Sequence, residues 1–176
     1  MTRELSPILL GLVLLGACDD EPASVKPEPV SMTAEALGYY CQMNILEHDG
    51  PVAQIHRAGF EQPIWFSQVR DAIAYTRLPE ETDSMTAFYV SDMSAAPAGG
   101  RPDPIRWVDA KEASFVIGSD LAGGMGAPEA VPFLDADEAA AYVAVRGGEI
   151  VTLDEIPDAY VLAPVEIGLP DADAIR

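Results

Sequence analysis

"QPIWFSQVRDAIAYTR", residues 62–77, and "VPFLDADEAAAYVAVR", residues 131–146, decide the fold. Each opens on a short apolar run that suits a strand and passes into a helical pattern. In the first, Val69, Ala72 and Ile73 fall on one helical face, Ser67 is the candidate N-cap, and Pro79 stops the helix. In the second, Asp135 or Asp137 is the cap and Gly147-Gly148 the stop. Phe66, Ala72, Ala74 and Tyr75 recur at the same mutual spacing as Phe133, Ala139, Ala141 and Tyr142. The chain therefore reads as two related halves, each strand, helix, strand, in an α+β fold.

Outward from these segments, "CQMNILEHDGPVAQIHRAG" carries a turn signal at Asp49-Gly50-Pro51, which predicts a hairpin or a loop followed by one. "MTAFYVSDM" reads as a strand, and "IRWVDAKEASFVIGS" as two more extended stretches after a Gly/Pro loop. From Asp19 to Thr33 the chain is rich in Pro, Ser and acidic residues and poor in large apolar ones, a tether that cannot bury a core.

At the start, the apolar run from Ile8 to Ala17 is shorter than the ~20 residues a spanning helix needs and reads as a signal peptide. Leu15-Gly16-Ala17-Cys18 resembles a bacterial lipobox, which implies a lipid-modified Cys18 after cleavage. Asp19 resembles an inner-membrane retention signal. The layout expected is a lipoprotein signal over 1–17, a lipidated tether over 18–33, a folded domain over 34–168 and a tail over 169–176. The two lobes of the domain would cover about 34–95 and 105–160. A net charge of −19 with ten Lys plus Arg argues against nucleic acid and anionic lipid surfaces as partners.

With Cys18 lipidated, Cys41 is an unpaired thiol outside the cytoplasm. Met43 stands two positions on. In an extended segment both side chains would face one way, with α-carbons about 6.5 Å apart. Thiolate and thioether are soft donors that favour Cu(I) over zinc, magnesium or calcium. Met125, set among glycines, is badly placed for a core and well placed to project. If the Cys41 and Met125 segments precede corresponding strand-helix units, they meet across the lobes as a three-sulfur site. Met93, His48 and His56 are further candidates, with His48 in the turn read as solvated and His56 as satisfying a strand edge.

Taken together, "LLGAC", "YYCQMNILEHDGPVAQI", "FSQVRDAIAYTRLPE", "FYVSDM", "FVIGSDLAGGMGAPEAVPF" and "AAYVAVRGG" resemble the NosL-type copper chaperones, periplasmic lipoproteins of the nitrous oxide reductase assembly system. The resemblance implies two similar β-β-α-β lobes of the kind shared with organomercury lyase. It also implies one Cu(I) bound by a monomer, and delivery to nitrous oxide reductase with an ABC-type complex of the inner membrane. The C-x-M motif of the family falls on Cys41 and Met43, and its glycine-flanked methionine on Met125. Where proline often precedes that methionine, Gly124 stands here.

Three other readings compete with the carrier. A Cys-dependent enzyme lacks partners for its nucleophile, since organomercury-lyase chemistry uses a pair of cysteines and no phosphate loop or serine elbow is present. In a blue-copper electron carrier one histidine comes well before the cysteine, whereas both histidines here follow Cys41. A lipoprotein that only holds a complex together would be marked by a large apolar patch.

Overall fold

The structure is a computed structural model that describes residues 26–82, 84–96 and 100–164. Cys18, the expected signal segment and the expected tail lie outside these residues. The elements run β1 (Ala53–Arg57), β2 (Ile64–Phe66), α1 (Val69–Arg77), α2 (Pro79–Thr82), β3 (Met85–Ser91), β4 (Trp107–Asp109), β5 (Ser114–Ile117), β6 (Val131–Phe133), α3 (Ala136–Arg146), β7 (Glu149–Thr152) and α4 (Asp158–Leu162).

Two antiparallel sheets result, ordered β2-β1-β3-β4 and β6-β5-β7. Each contains the same path: a hairpin, a helix, and a third strand returning to the open side of the first. The repeat in the sequence is thus a repeat of topology. Its aromatic spacing places Phe66 at the end of β2 with Tyr75 on α1, ring centroids 5.6 Å apart, and Phe133 at the end of β6 with Tyr142 on α3, 5.2 Å apart.

Side-chain alternation along the strands distributes the core. On β5, Phe115 and Ile117 join Val69, Ala72 and Ile73 of α1, Ile55 of β1 and Phe66 of β2 in the main cluster. Val116, facing the other way, packs with Val131, Phe133 and Ala139 beneath α3. The second sheet therefore shares the first unit's core on one face and has its own helix on the other.

The helix signals divide between the two units. Asp135 caps α3, its carboxylate accepting from the amides of Asp137 (2.8 Å) and Glu138 (3.3 Å), and Gly147 closes it at φ 73°. Ser67 does not cap α1. The N-cap position belongs to Gln68, which makes no side-chain capping bond. The turn at Asp49-Gly50-Pro51 leads out of a 3-10 turn, Ile45–Glu47, and the hairpin is the β1–β2 pair that follows. β4, inside the stretch expected for the second lobe, hydrogen-bonds β3 of the first sheet.

The expected tether also begins to pack earlier than composition suggests. The Gln54 side chain accepts from Val30 N (2.9 Å) and donates to Val30 O (3.0 Å), and the Tyr89 hydroxyl donates to Pro27 O (2.8 Å). Met32 packs beside Ala36, Ile45 and Val52. Residues 26–32 are held because β1 presents a buried amide, a partner no feature of the tether itself reveals.

Candidate functional site

The segment holding Cys41 is a tight turn rather than a strand. An antiparallel bridge pairs Leu37 with Asn44, Gly38 N donates to Met43 O (2.9 Å), and Gln42 N donates to Gly38 O (2.8 Å). Gln42, between the two sulfur residues, is left-handed at φ 56°, and its side-chain amide donates to Tyr39 O (2.7 Å). The strand rule that would set Cys41 and Met43 on one face therefore does not apply, because the chain reverses between them.

An aromatic floor carries this turn. Tyr39 N donates to Trp65 O (2.7 Å), joining the turn to the free edge of β2, and the Tyr39 ring sits 5.9 Å from Phe66 and 5.6 Å from Tyr75. The free thiol of Cys41 is half-buried, with Sγ 3.4 Å from Ser67 Oγ. Gly38 leaves room for that sulfur, since a β-carbon there would collide with Sγ and lie 3.5 Å from Ser67 Oγ. Met43 is half-buried in the same turn.

Met125 tops a second turn. An antiparallel bridge pairs Ala122 with Pro128, and Gly126 N donates to Gly123 O (2.8 Å). This turn lies between β5 and β6, whereas the Cys41 turn precedes β1, so the two are not equivalent positions of the repeat. They converge nonetheless. A β-carbon on Gly123 would fall 2.7 Å from Gln68 Cδ, and one on Gly124 would fall 3.0 Å from His48 Cγ. The Cys41 turn thus rests on Ser67, and the Met125 turn on the adjoining Gln68 and on His48. Met125 itself is 50% exposed.

His48 is half-buried, and its Nε2 is shielded from solvent with no hydrogen-bond partner among the described residues. Its backbone carbonyl accepts from Arg101 Nη1 (3.1 Å). The solvated turn histidine expected from the sequence is instead packed against Gly124 of the Met125 turn. His56 is a buried strand residue whose Nε2 lies 2.9 Å from Gln54 Oε1, with its ring edge-on to Tyr89. Burial lowers its pKa. Met93 packs among Val116, Val131 and Phe133. Among the described residues, no group of three or more His, Cys, Asp or Glu could hold a metal ion.

Ser67, Gln68 and Glu129 escaped sequence reasoning. Ser67 carries the signal of a helix cap and spends its hydroxyl on Cys41 instead. The other two have no local signal.

A thiol turn ahead of one β-β-α-β unit and a glycine-flanked methionine turn inside the other, resting on the adjoining Ser67 and Gln68, define a two-unit α+β class with its sulfur-bearing turns brought together. Within that class the chain belongs to the NosL family, whose description, NosL, matches residues 29–161. It is 52% identical over 169 residues to the copper-binding lipoprotein NosL of Achromobacter cycloclastes, covering 94% of this chain and 86% of that one. The copper-binding lipoprotein NosL of Stutzerimonas stutzeri is 28% identical over 158 residues, 89% of this chain and 80% of its own. The crystal structure of the copper chaperone NosL from Shewanella denitrificans superposes with a TM-score of 0.68 at 28% identity, over 76% of this chain and 99% of that one.

Proposed function

We propose that this chain is a membrane-anchored Cu(I) carrier that holds one ion through Cys41, Met43 and Met125 and hands it on without catalysing a reaction. The observation that carries the reading is the convergence of the Cys41 and Met125 turns on the consecutive residues Ser67 and Gln68. The names of the relatives, copper-binding lipoprotein and copper chaperone, support it.

The donor chemistry fits a carrier. Cys41 supplies the one thiolate, which gives affinity and releases a proton as copper enters. Thioethers do not titrate and are weaker donors, so they can be displaced one at a time by the donors of a receiving protein. Half-burial of Cys41 and Met43 with exposure of Met125 sets an order for that exchange: Met125 leaves first, Cys41 last. His48 is the candidate for a nitrogen donor, its unpartnered Nε2 lacking any other occupation among the described residues.

In the same reading a signal over 1–17 is removed and Cys18 carries lipid on the periplasmic side of the inner membrane. Among the described residues no helix is long and apolar enough to cross a membrane. The recipient is nitrous oxide reductase, through its ABC-type maturation complex.

The test is a Cu(I) titration of the reduced, detergent-solubilised chain against a chromophoric chelator, with Cys41→Ser and Met125→Leu alongside. One-to-one binding weakened by both changes is expected. Equal stripping of copper from all three proteins would leave the sulfurs as packing residues.

A further inference from the structure

Helix α1 starts without a cap from its own segment, since Ser67 faces Cys41 and Gln68 makes no capping bond. The acceptor comes from the other unit. Glu129, 1% exposed, places Oε1 2.9 Å from Arg70 N in the first turn of α1 and 2.9 Å from Ala130 N at the foot of β6. Tyr160 completes the tie: its hydroxyl donates to Glu129 O (2.7 Å) and accepts from Gly118 N (3.0 Å). One phenol therefore joins both stems of the Met125 loop. Arg70 returns the connection, Nε donating to Tyr160 O (3.2 Å) and Nη2 to Ala163 O (2.7 Å).

We propose that Glu129 is a positioning residue for the metal, the cross-unit cap that fixes the Met125 loop against the Ser67–Gln68 ledge on which Cys41 rests. This rests on the reading of Cys41 and Met125 as ligands. The bond from Glu129 to Arg70 joins a point four residues beyond Met125 to a point three residues beyond Ser67, so it sets how the two turns face each other. The nearer contacts, Gly123 on Gln68 and Gly124 on His48, are packing contacts that fix distance but not direction.

Burial pushes the Glu129 carboxyl up to about 8, against the pull of the Arg70 and Ala130 amides and the Arg70 charge, and Asp71 adds to the rise. A neutral carboxyl keeps an acceptor oxygen, and so does an amide. Glu129→Gln therefore preserves the cap, while Glu129→Ala removes it.

Two measurements on the reduced full chain in detergent test this. In hydrogen exchange of the copper-free protein, Glu129→Ala should speed exchange at Gly123, Gly126 and Arg70 about tenfold, with β1 and β3 unchanged, whereas Glu129→Gln should match wild type. In Cu(I) competition, Glu129→Ala should weaken binding about tenfold, and Met125→Leu added to it should cost less than about twofold more. Unchanged exchange in the loop, or a full Met125→Leu loss on top of Glu129→Ala, would reduce Glu129 to a core residue. Should Glu129→Ala not fold, Tyr160→Phe, which frees both stems and keeps the ring, carries the same two tests with the same overturning results. Wild-type protein that binds no copper would sink the carrier reading alone, leaving the exchange result to decide the positioning.

Discussion

The imidazole of His48 fills the space beside Gly124, where a β-carbon would meet the ring 3.0 Å from Cγ and 3.1 Å from Cε1. Glycine is required here for room, so even alanine must push His48 or the Met125 turn away. Overpacking of this kind costs about 1 to 3 kcal/mol. Gly124→Ala should lower the melting temperature and weaken Cu(I) binding about tenfold, the Met125 turn having been pushed off His48. Retained affinity in a competition titration would mean that His48 yields without disturbing the sulfur donors.

Ser67 and Asp135 both carry the sequence signal of a helix cap and do different work, Asp135 at the N-cap of α3 and Ser67 one residue before the N-cap of α1. Asp135→Ala should cost about 1 kcal/mol of stability, the usual loss for a cap. Ser67→Ala removes no cap. Its effect should be read at the thiol: the Cys41 thiolate can only accept, so it loses a donor worth about 1 kcal/mol, and alkylation by iodoacetamide should slow about fivefold at fixed pH. A helix-wide rise in hydrogen exchange in Ser67→Ala would show that it caps after all.

Glu129 makes stability fall as pH rises. Its carboxyl moves from 4.5 to about 8 on folding, so between those values the folded chain holds a proton that the unfolded chain has released. The contribution is complete below pH 4.5 and is lost as pH climbs through 8, with a slope of up to about 1.4 kcal/mol per pH unit. Arg70, Asp71 and Tyr160 face this carboxyl, and all remain in Glu129→Gln. Thermal melts at pH 5.5, 7 and 8.5, about one and a half units apart, should therefore show wild type losing ground to Glu129→Gln. Parallel curves would mean that the carboxyl ionises without penalty.

The repeat was legible because its signals are local. A strand-end phenylalanine and a tyrosine on the next helix meet whenever the helix folds back on its strand, and both units do this. The burial of the two tyrosines differs, because Tyr75 lies 1% exposed between Tyr39 and Phe66 and Tyr142 is only half-buried. Tyr75→Ala should cost about 3 to 5 kcal/mol and Tyr142→Ala about half as much in denaturant unfolding. Equal costs would put the two helices in equivalent cores.

What the sequence hid at the site is long-range or conformational. Cys41, Met43 and Met125 stood out by residue type, but their arrangement turns on Gln42 at φ 56°, a conformation few residues other than glycine and asparagine announce. Glu129 looks like any surface glutamate in "GAPEAVPF", and only the docking of α1 against the second unit buries it. His48 beside Asp49-Gly50 carries the pattern of an exposed turn, and the Met125 loop that covers it lies far along the chain.

Gln54 tests what holds residues 26–32 against the first sheet. Its amide is fully buried, satisfies both backbone groups of Val30, and lies 2.9 Å from His56 Nε2. Gln54→Leu keeps the volume and removes those bonds, at a cost of about 1 to 3 kcal/mol for the groups left unpaired. The sheet should survive, since the ladder between β1 and β3 is backbone. Exchange at Val30 N should rise about tenfold while that of Ile55 stays as in wild type. Unchanged exchange at Val30 would assign the hold on this segment to Tyr89 and Pro27 instead.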